Sequence, residues 1–283
     1  MKKTLSLSCA LMLASTLVGS AFGQQPDPLK SAASAAPGIP VAAMKAAGRP
    51  ASPDATCAYS FTIPATATRQ YLQYCVSPNG NIVEFQSPAG VEDIAAGTNG
   101  EGYSVCDFAS GVGYLDYGDY GDFDTGHWGA PVLLSLTSTQ AKIVRTTTDG
   151  IWTLTQTFLK STADSTVKIT MALKNNTGID RFVWLTRFAD IDANTALANT
   201  LDGSFNMAYG ITGSTGIGMQ ATLAAANPYA HYGFAVPTIN TACNIGSGYA
   251  GTMVNLDGAT EFYHGINVKA LKTATVTFKY KGI

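Results

Sequence analysis

The chain has 283 residues, 46% hydrophobic, 10% aromatic and only 13% charged, with a formal net charge of −2. A chain of this length and apolar content can bury a large core. Its low charge excludes a disordered polyelectrolyte, a coiled coil and a basic nucleic-acid binder. The 29 glycines and 13 tyrosines, set among threonine-rich runs, point to an all-β exported protein.

Met1-Lys2-Lys3, the apolar run Leu5 to Val18 and the small residues Gly19-Ser20-Ala21-Phe22-Gly23 form a signal peptide of bacterial type over residues 1–23. Cleavage after Gly23 fits the small-x-small rule, with Ser20 and Ala21 as alternative cleavage points. The apolar run is short for a transmembrane helix and no later segment offers such a span, so the expectation is a secreted or periplasmic chain without a membrane span. Removing Lys2 and Lys3 leaves 15 basic against 19 acidic groups. Nothing in that balance attracts nucleic acid or an anionic membrane.

Cys9 leaves with the signal peptide, and the remaining Cys57, Cys75, Cys106 and Cys243 read as two disulfides in an oxidising compartment. Of the three connectivities, Cys57 with Cys75 is favoured, because each lies in a strand-like run and the Pro64 region between them can turn the chain. That leaves Cys106 with Cys243.

Residues 24–56 hold half of the prolines among alanines, with almost no large apolar side chains, and read as a flexible segment. Val41 to Ala47 can form at most a helical turn or two. From Cys57 onward the period is two. Trp152, Leu154 and Phe158 alternate with Thr153, Thr155 and Thr157. Val167, Ile169, Met171 and Leu173 alternate with threonines and lysines, as do Ala274, Val276, Phe278 and Tyr280. Pro78-Asn79-Gly80, Asp149-Gly150 and Asn175-Asn176-Thr177-Gly178 supply tight-turn chemistry between such runs. The predicted architecture is a large antiparallel two-sheet β-sandwich with long loops, a single domain over 57–283; a split near Asn194 to Gly203 is the alternative.

Three groups of residues can carry chemistry. Tyr114 to Gly129 packs aromatic rings, carboxylates and a histidine into a glycine-rich stretch. Tyr114, Tyr117, Tyr120, His127 and Trp128 are its candidate sugar-binding residues. The opposing reading folds those rings back onto the sandwich as a lid. Asp190, Asp192 and Asn194, with Asp202 downstream, place oxygen ligands at alternate positions, as a calcium loop does, although Thr195 and Leu201 exclude an EF-hand. Asp116, Asp119, Asp122 and Asp124 are the alternative calcium ligands. The opposing reading makes the 190–194 run a strand end, with Arg187 paired to an aspartate. Finally, His231, Glu261 and Glu84 are the candidate acid/base residues, because each lies in or beside a strand-like run with aromatic neighbours. His127, His231 and His264 lack the short spacing of a zinc motif.

No Gly-x-Ser-x-Gly elbow, Walker loop or dinucleotide glycine motif is present, so no nucleotide cofactor is expected. The leading expectation is a secreted carbohydrate-binding or surface-interaction module with a structural calcium, its partner a polysaccharide or cell-surface component. A polysaccharide-active hydrolase or lyase is the first alternative, and a structural envelope or matrix protein the second.

Overall fold

The computed structural model describes residues 39–40, 56–94, 101–118, 127–196, 198–203, 207–222, 231–236, 238–239, 242–243 and 252–283. The signal-peptide reading lies outside them. In chain order the strands are β1 (Ile39–Pro40), β2 (Tyr59–Ile63), β3 (Leu72–Val76), β4 (Ile82–Gln86), β5 (Glu101–Asp107), β6 (Val112–Tyr117), β7 (Val132–Leu136), β8 (Gln140–Thr146), β9 (Trp152–Ser161) and β10 (Thr166–Asn175). They continue as β11 (Arg181–Asp190), β12 (Asn199–Gly203), β13 (Met207–Thr212), β14 (Thr215–Thr222), β15 (His231–Val236), β16 (Thr238–Ile239), β17 (Thr252–Leu256), β18 (Ala259–Val268) and β19 (Thr273–Gly282). A single 3₁₀ turn, Ala193–Thr195, follows β11.

The fold is all-β and antiparallel, as the alternation predicts. A nine-stranded sheet runs β17-β12-β13-β14-β19-β10-β9-β8-β7, a five-stranded sheet runs β15-β18-β11-β5-β6, and β2-β3-β4 form a third. Within the segment read as flexible, β1 pairs with β16. One contiguous core joins the three sheets. It takes Ile143, Trp152, Leu154, Phe158, Ile169 and Phe278 from the large sheet, Tyr103, Val105, Val183, Leu185 and Phe262 from the second, and Phe61, Leu72, Tyr74 and Phe85 from the third.

The large sheet is half-wet as its sequence demands: β9 and β19 alternate buried with partly exposed positions. The five-stranded sheet departs from that expectation. All seven residues of β5 are buried, as are nearly all of β11 and β18. Its second face carries its own apolar cluster of Leu115, Tyr117, Trp184, Phe188 and Tyr263. A sheet buried on both sides has no polar face to alternate with, which is why Phe182 to Ala189 lacks a clean period of two.

Two of the three expected turns close hairpins. Gly80 (φ +91°) turns β3 into β4 and Gly150 (φ +73°) turns β8 into β9. The third does not. Asn175 to Gly178 carries the chain from β10 in one sheet to β11 in the other. There the Asn175 side chain caps the turn, accepting from Thr177 N–H at 2.9 Å and donating to Ile179 O at 2.6 Å. Both expected disulfides are present, Cys57–Cys75 and Cys106–Cys243. Among the described residues no helix is long and apolar enough to cross a membrane.

Candidate functional site

β11 and β18 are antiparallel neighbours with Asp190 opposite Ala259. Extending that register by two residues sets Asp192 against Asp257, at the turn from β17 into β18. One carboxylate oxygen each from Asp190, Asp192 and Asp257 lies within 4.8 Å of the others. Asp190 and Asp192 are buried and Asp257 is half-buried. Three carboxylates this close repel one another unless a cation or shared protons intervene, and a hard divalent cation suits an all-oxygen set. The cluster can hold a metal.

The other residues of the expected calcium loop are not part of this group of carboxylates. Asn194 is exposed in the 3₁₀ turn with left-handed backbone (φ 55°), and its N–H donates to Asp93 Oδ1 at 3.1 Å. Asp202 accepts from Thr252 and Gly203 N–H through Oδ1 and from the Tyr209 hydroxyl through Oδ2. Of the alternative ligands, Asp116 is buried in an ion pair with Arg145 and accepts from Asn81 at 2.6 Å and Asn79 at 3.2 Å. Asp119, Asp122 and Asp124 lie outside the described residues.

A second cluster forms where β6 approaches the β8–β9 turn. The Tyr114 hydroxyl donates to Asp149 Oδ2 at 2.7 Å, and His127 Nδ1 lies 3.0 Å from Gly113 O. Tyr114 meets His127 and Trp128 edge-on at 5.6 and 6.0 Å, and the Arg145 guanidinium lies over Trp128 at 5.7 Å. Burial would raise Asp149, but hydrogen bonds from Thr147, Tyr114 and Ile151 N–H outweigh it and hold the carboxyl below the usual range. Burial, with Asp149 beside it, raises the Tyr114 phenol. The result is a half-exposed imidazole and an exposed, ionised carboxylate on an aromatic floor.

The rings themselves turn inward. Tyr114 and Tyr117 are fully buried, Trp128 nearly so, and Tyr117 stacks on Phe188 in the second apolar cluster. Within the described residues these three offer no open ring face; Tyr120 lies outside them. His231 and Glu261 both belong to the five-stranded sheet, where His231 is in register with His264 and Glu261 with Phe234 and Phe188. Glu261 is buried, while Glu84 is half-buried on β4, opposite Cys75. Arg187 pairs with Glu101 rather than with an aspartate.

Sequence reasoning did not single out Asp257, Asp149 or Arg145. Asp149-Gly150 reads only as a turn, and Asp257 belongs to no motif. Their roles come from which strands lie beside them.

No family model matches the sequence, and no curated protein is similar to it in sequence. Solved structures share the fold. A bacterial glucoamylase complexed with acarbose superposes with a TM-score of 0.54 at 10% identity, over 88% of this chain and 34% of that one. The chain therefore spans about a third of that protein's length. A putative aldose 1-epimerase from Escherichia coli K12 gives 0.47 at 11% identity, over 79% and 98%. A polysaccharide lyase gives 0.46 at 8% identity, over 77% and 33%. All three are carbohydrate-related proteins by name, and the likeness to the glucoamylase, at 10% identity, is one of fold alone.

Proposed function

We propose that this chain is an exported, carbohydrate-associated β-sandwich that binds a glycan and uses the Asp190, Asp192 and Asp257 cluster for a structural Ca²⁺. The observation that carries the reading is the His127–Asp149 surface over Tyr114 and Trp128. An ionised carboxylate accepts from sugar hydroxyls, and with Nδ1–H donating to Gly113 O the imidazole presents Nε2 as a second polar contact, on a rigid aromatic base. The glucoamylase that shares the fold was solved with acarbose, which supports a sugar as the ligand class. Two disulfides support an oxidising, extracytoplasmic setting.

Binding is preferred as the reading because, among the described residues, Glu261 is buried and Glu101 is committed to Arg187. The test is retention of the purified chain on a panel of insoluble polysaccharides with calcium present. Retention on one glycan that is lost in His127→Ala and Asp149→Asn, both still folded, supports the site. Uniform failure, or retention unchanged in both variants, overturns it.

A further inference from the structure

β7 forms one rim of the nine-stranded sheet, and among the described residues β8 is the strand paired with it. Four of its five residues are large, apolar and exposed: Val132 (54%), Leu133 (42%), Leu134 (52%) and Leu136 (52%). A single exposed leucine is ordinary; four in one short rim strand are not. The register with β8 places Val132 opposite Val144 on the outer face of the sheet, and Leu133 and Leu136 opposite the buried Ile143 and Ala141 on its inner face. The inner face of β7 is therefore apolar and exposed, and its outer face carries Val132 and the uncharged Ser135, which lies opposite Lys142.

Such an edge presents a row of main-chain donors and acceptors that proteins ordinarily guard with charge, proline or a bulge. No Asp, Glu, Lys or Arg occurs between Asp124 and Lys142. The guards present are Pro131, ahead of the strand, and a one-residue register shift between Leu133 and Ser135. The opposite rim is better protected. In β17 the left-handed Asn255 (φ 57°) interrupts the strand, the pairing with β12 is irregular, and Asp257 follows at once.

We infer that β7 is the interface of a homodimer, in which the rims of two copies pair antiparallel about a two-fold axis and continue the large sheet from one copy into the next. The unpaired backbone row takes an extended strand rather than a helix or a sugar. Side chains that are apolar on the inner face and uncharged on the outer one suit an occupant that is likewise apolar on its inner face and carries no charge. β7 of a second copy meets each condition. Antiparallel pairing about a two-fold is self-complementary, so valine and leucine meet valine and leucine and no like charges are brought together. The inference does not depend on the glycan reading, because β7 contributes no residue to that surface.

The test is sedimentation velocity with light scattering on the purified chain across micromolar concentrations, combined with hydrogen exchange. The expected result is a closed dimer whose 132–136 amides are protected. Leu134→Lys should raise the dimer dissociation constant by about tenfold or more and expose those amides, while at concentrations where both chains are monomeric its thermal stability should match the wild type, because the side chain is exposed in the single chain. Leu136→Lys is the independent second variant. A wild-type chain that stays monomeric overturns the inference, whether or not it sediments with lipid vesicles. So does a dimer that survives both lysines, or open-ended assembly in place of a dimer.

Discussion

Arg187 and Glu101 form a bidentate ion pair in which neither side chain touches water. The pair lies where the three sheets meet. Glu101 Oε1 accepts from the Tyr280 hydroxyl of the large sheet at 2.6 Å, and Oε2 accepts from Ile82 N–H of the small sheet at 2.8 Å. Arg187 donates to Gln156 Oε1 at 2.6 Å and to Gly80 O at 3.2 Å. Each buried charge is thus matched by a counter-charge and by further hydrogen bonds from both other sheets.

Removing one partner should leave the other charged and dry. Arg187→Met or Glu101→Leu alone is expected to cost about 3–5 kcal/mol. The double replacement Arg187→Met with Glu101→Leu should cost clearly less than the two singles together. Urea unfolding of the four proteins in a double-mutant cycle checks this, and simple additivity would count against it.

Glu92 should make stability pH-dependent. Its Oε1 accepts from Phe85 and Ile94 N–H. Burial raises its pKa from 4.5 to about 7, aided by Glu84 and Asp93 and opposed by those two hydrogen bonds. A raised folded-state pKa means that the folded chain binds more protons than the unfolded one between these values, so stability falls as pH rises through that interval. Glu92's share of the loss from pH 5 to pH 8 is about 2 kcal/mol, and Glu92→Gln should lessen the slope, leaving the part that Asp93, also raised by burial to about 7, contributes. Denaturant midpoints at pH 5, 6.5 and 8 decide it.

The two disulfides should contribute unequally. Cys57–Cys75 spans 18 residues and Cys106–Cys243 spans 137. Loop-closure entropy then gives about 3 and about 5 kcal/mol respectively. Paired Cys→Ser replacement, read by thermal unfolding, should lower the midpoint more for Cys106 and Cys243. The reverse order would show that native packing, rather than chain restriction, sets the difference.

Calcium should raise the unfolding temperature of the wild-type chain. At a hundredfold excess over the dissociation constant the gain is about 2.7 kcal/mol, or roughly 5–10 °C for a domain of this size. Asp192→Asn and Asp257→Asn should remove that rise. Asp202→Asn should leave it in place, since Asp202 is already engaged by Tyr209 and Thr252. Calorimetry with and without chelator distinguishes these outcomes.

The parts of this molecule that were legible in sequence are local. Trp152, Leu154 and Phe158 alternate with threonines, and Asp149-Gly150 turns the chain back on itself; both are written within a dozen residues. The ion pair was not legible, because Arg187 and Glu101 lie 86 residues apart and meet only through the pairing of β11 with β5. Asp257 joins Asp190 and Asp192 for the same reason, through the register of β11 with β18. Tyr114 and Tyr117 resemble a sticky loop in sequence because each is apolar without a polar alternate. They occupy opposite faces of a strand buried on both sides, and no single-face pattern records that.

β19 lies between β14 and β10 in the large sheet, so it alone joins the β7–β10 meander to the β12–β14 side. Each of those halves can assemble from near neighbours, whereas the seam waits for a strand about a hundred residues downstream of β10. Until it arrives, β10 and β14 both stand as raw edges. A chain cut between Thr222 and Thr273 would therefore lose far more than one strand: it would present two separate sheets, each with an open side ready to seed aggregates, and cellular quality control should recognise it as misfolded.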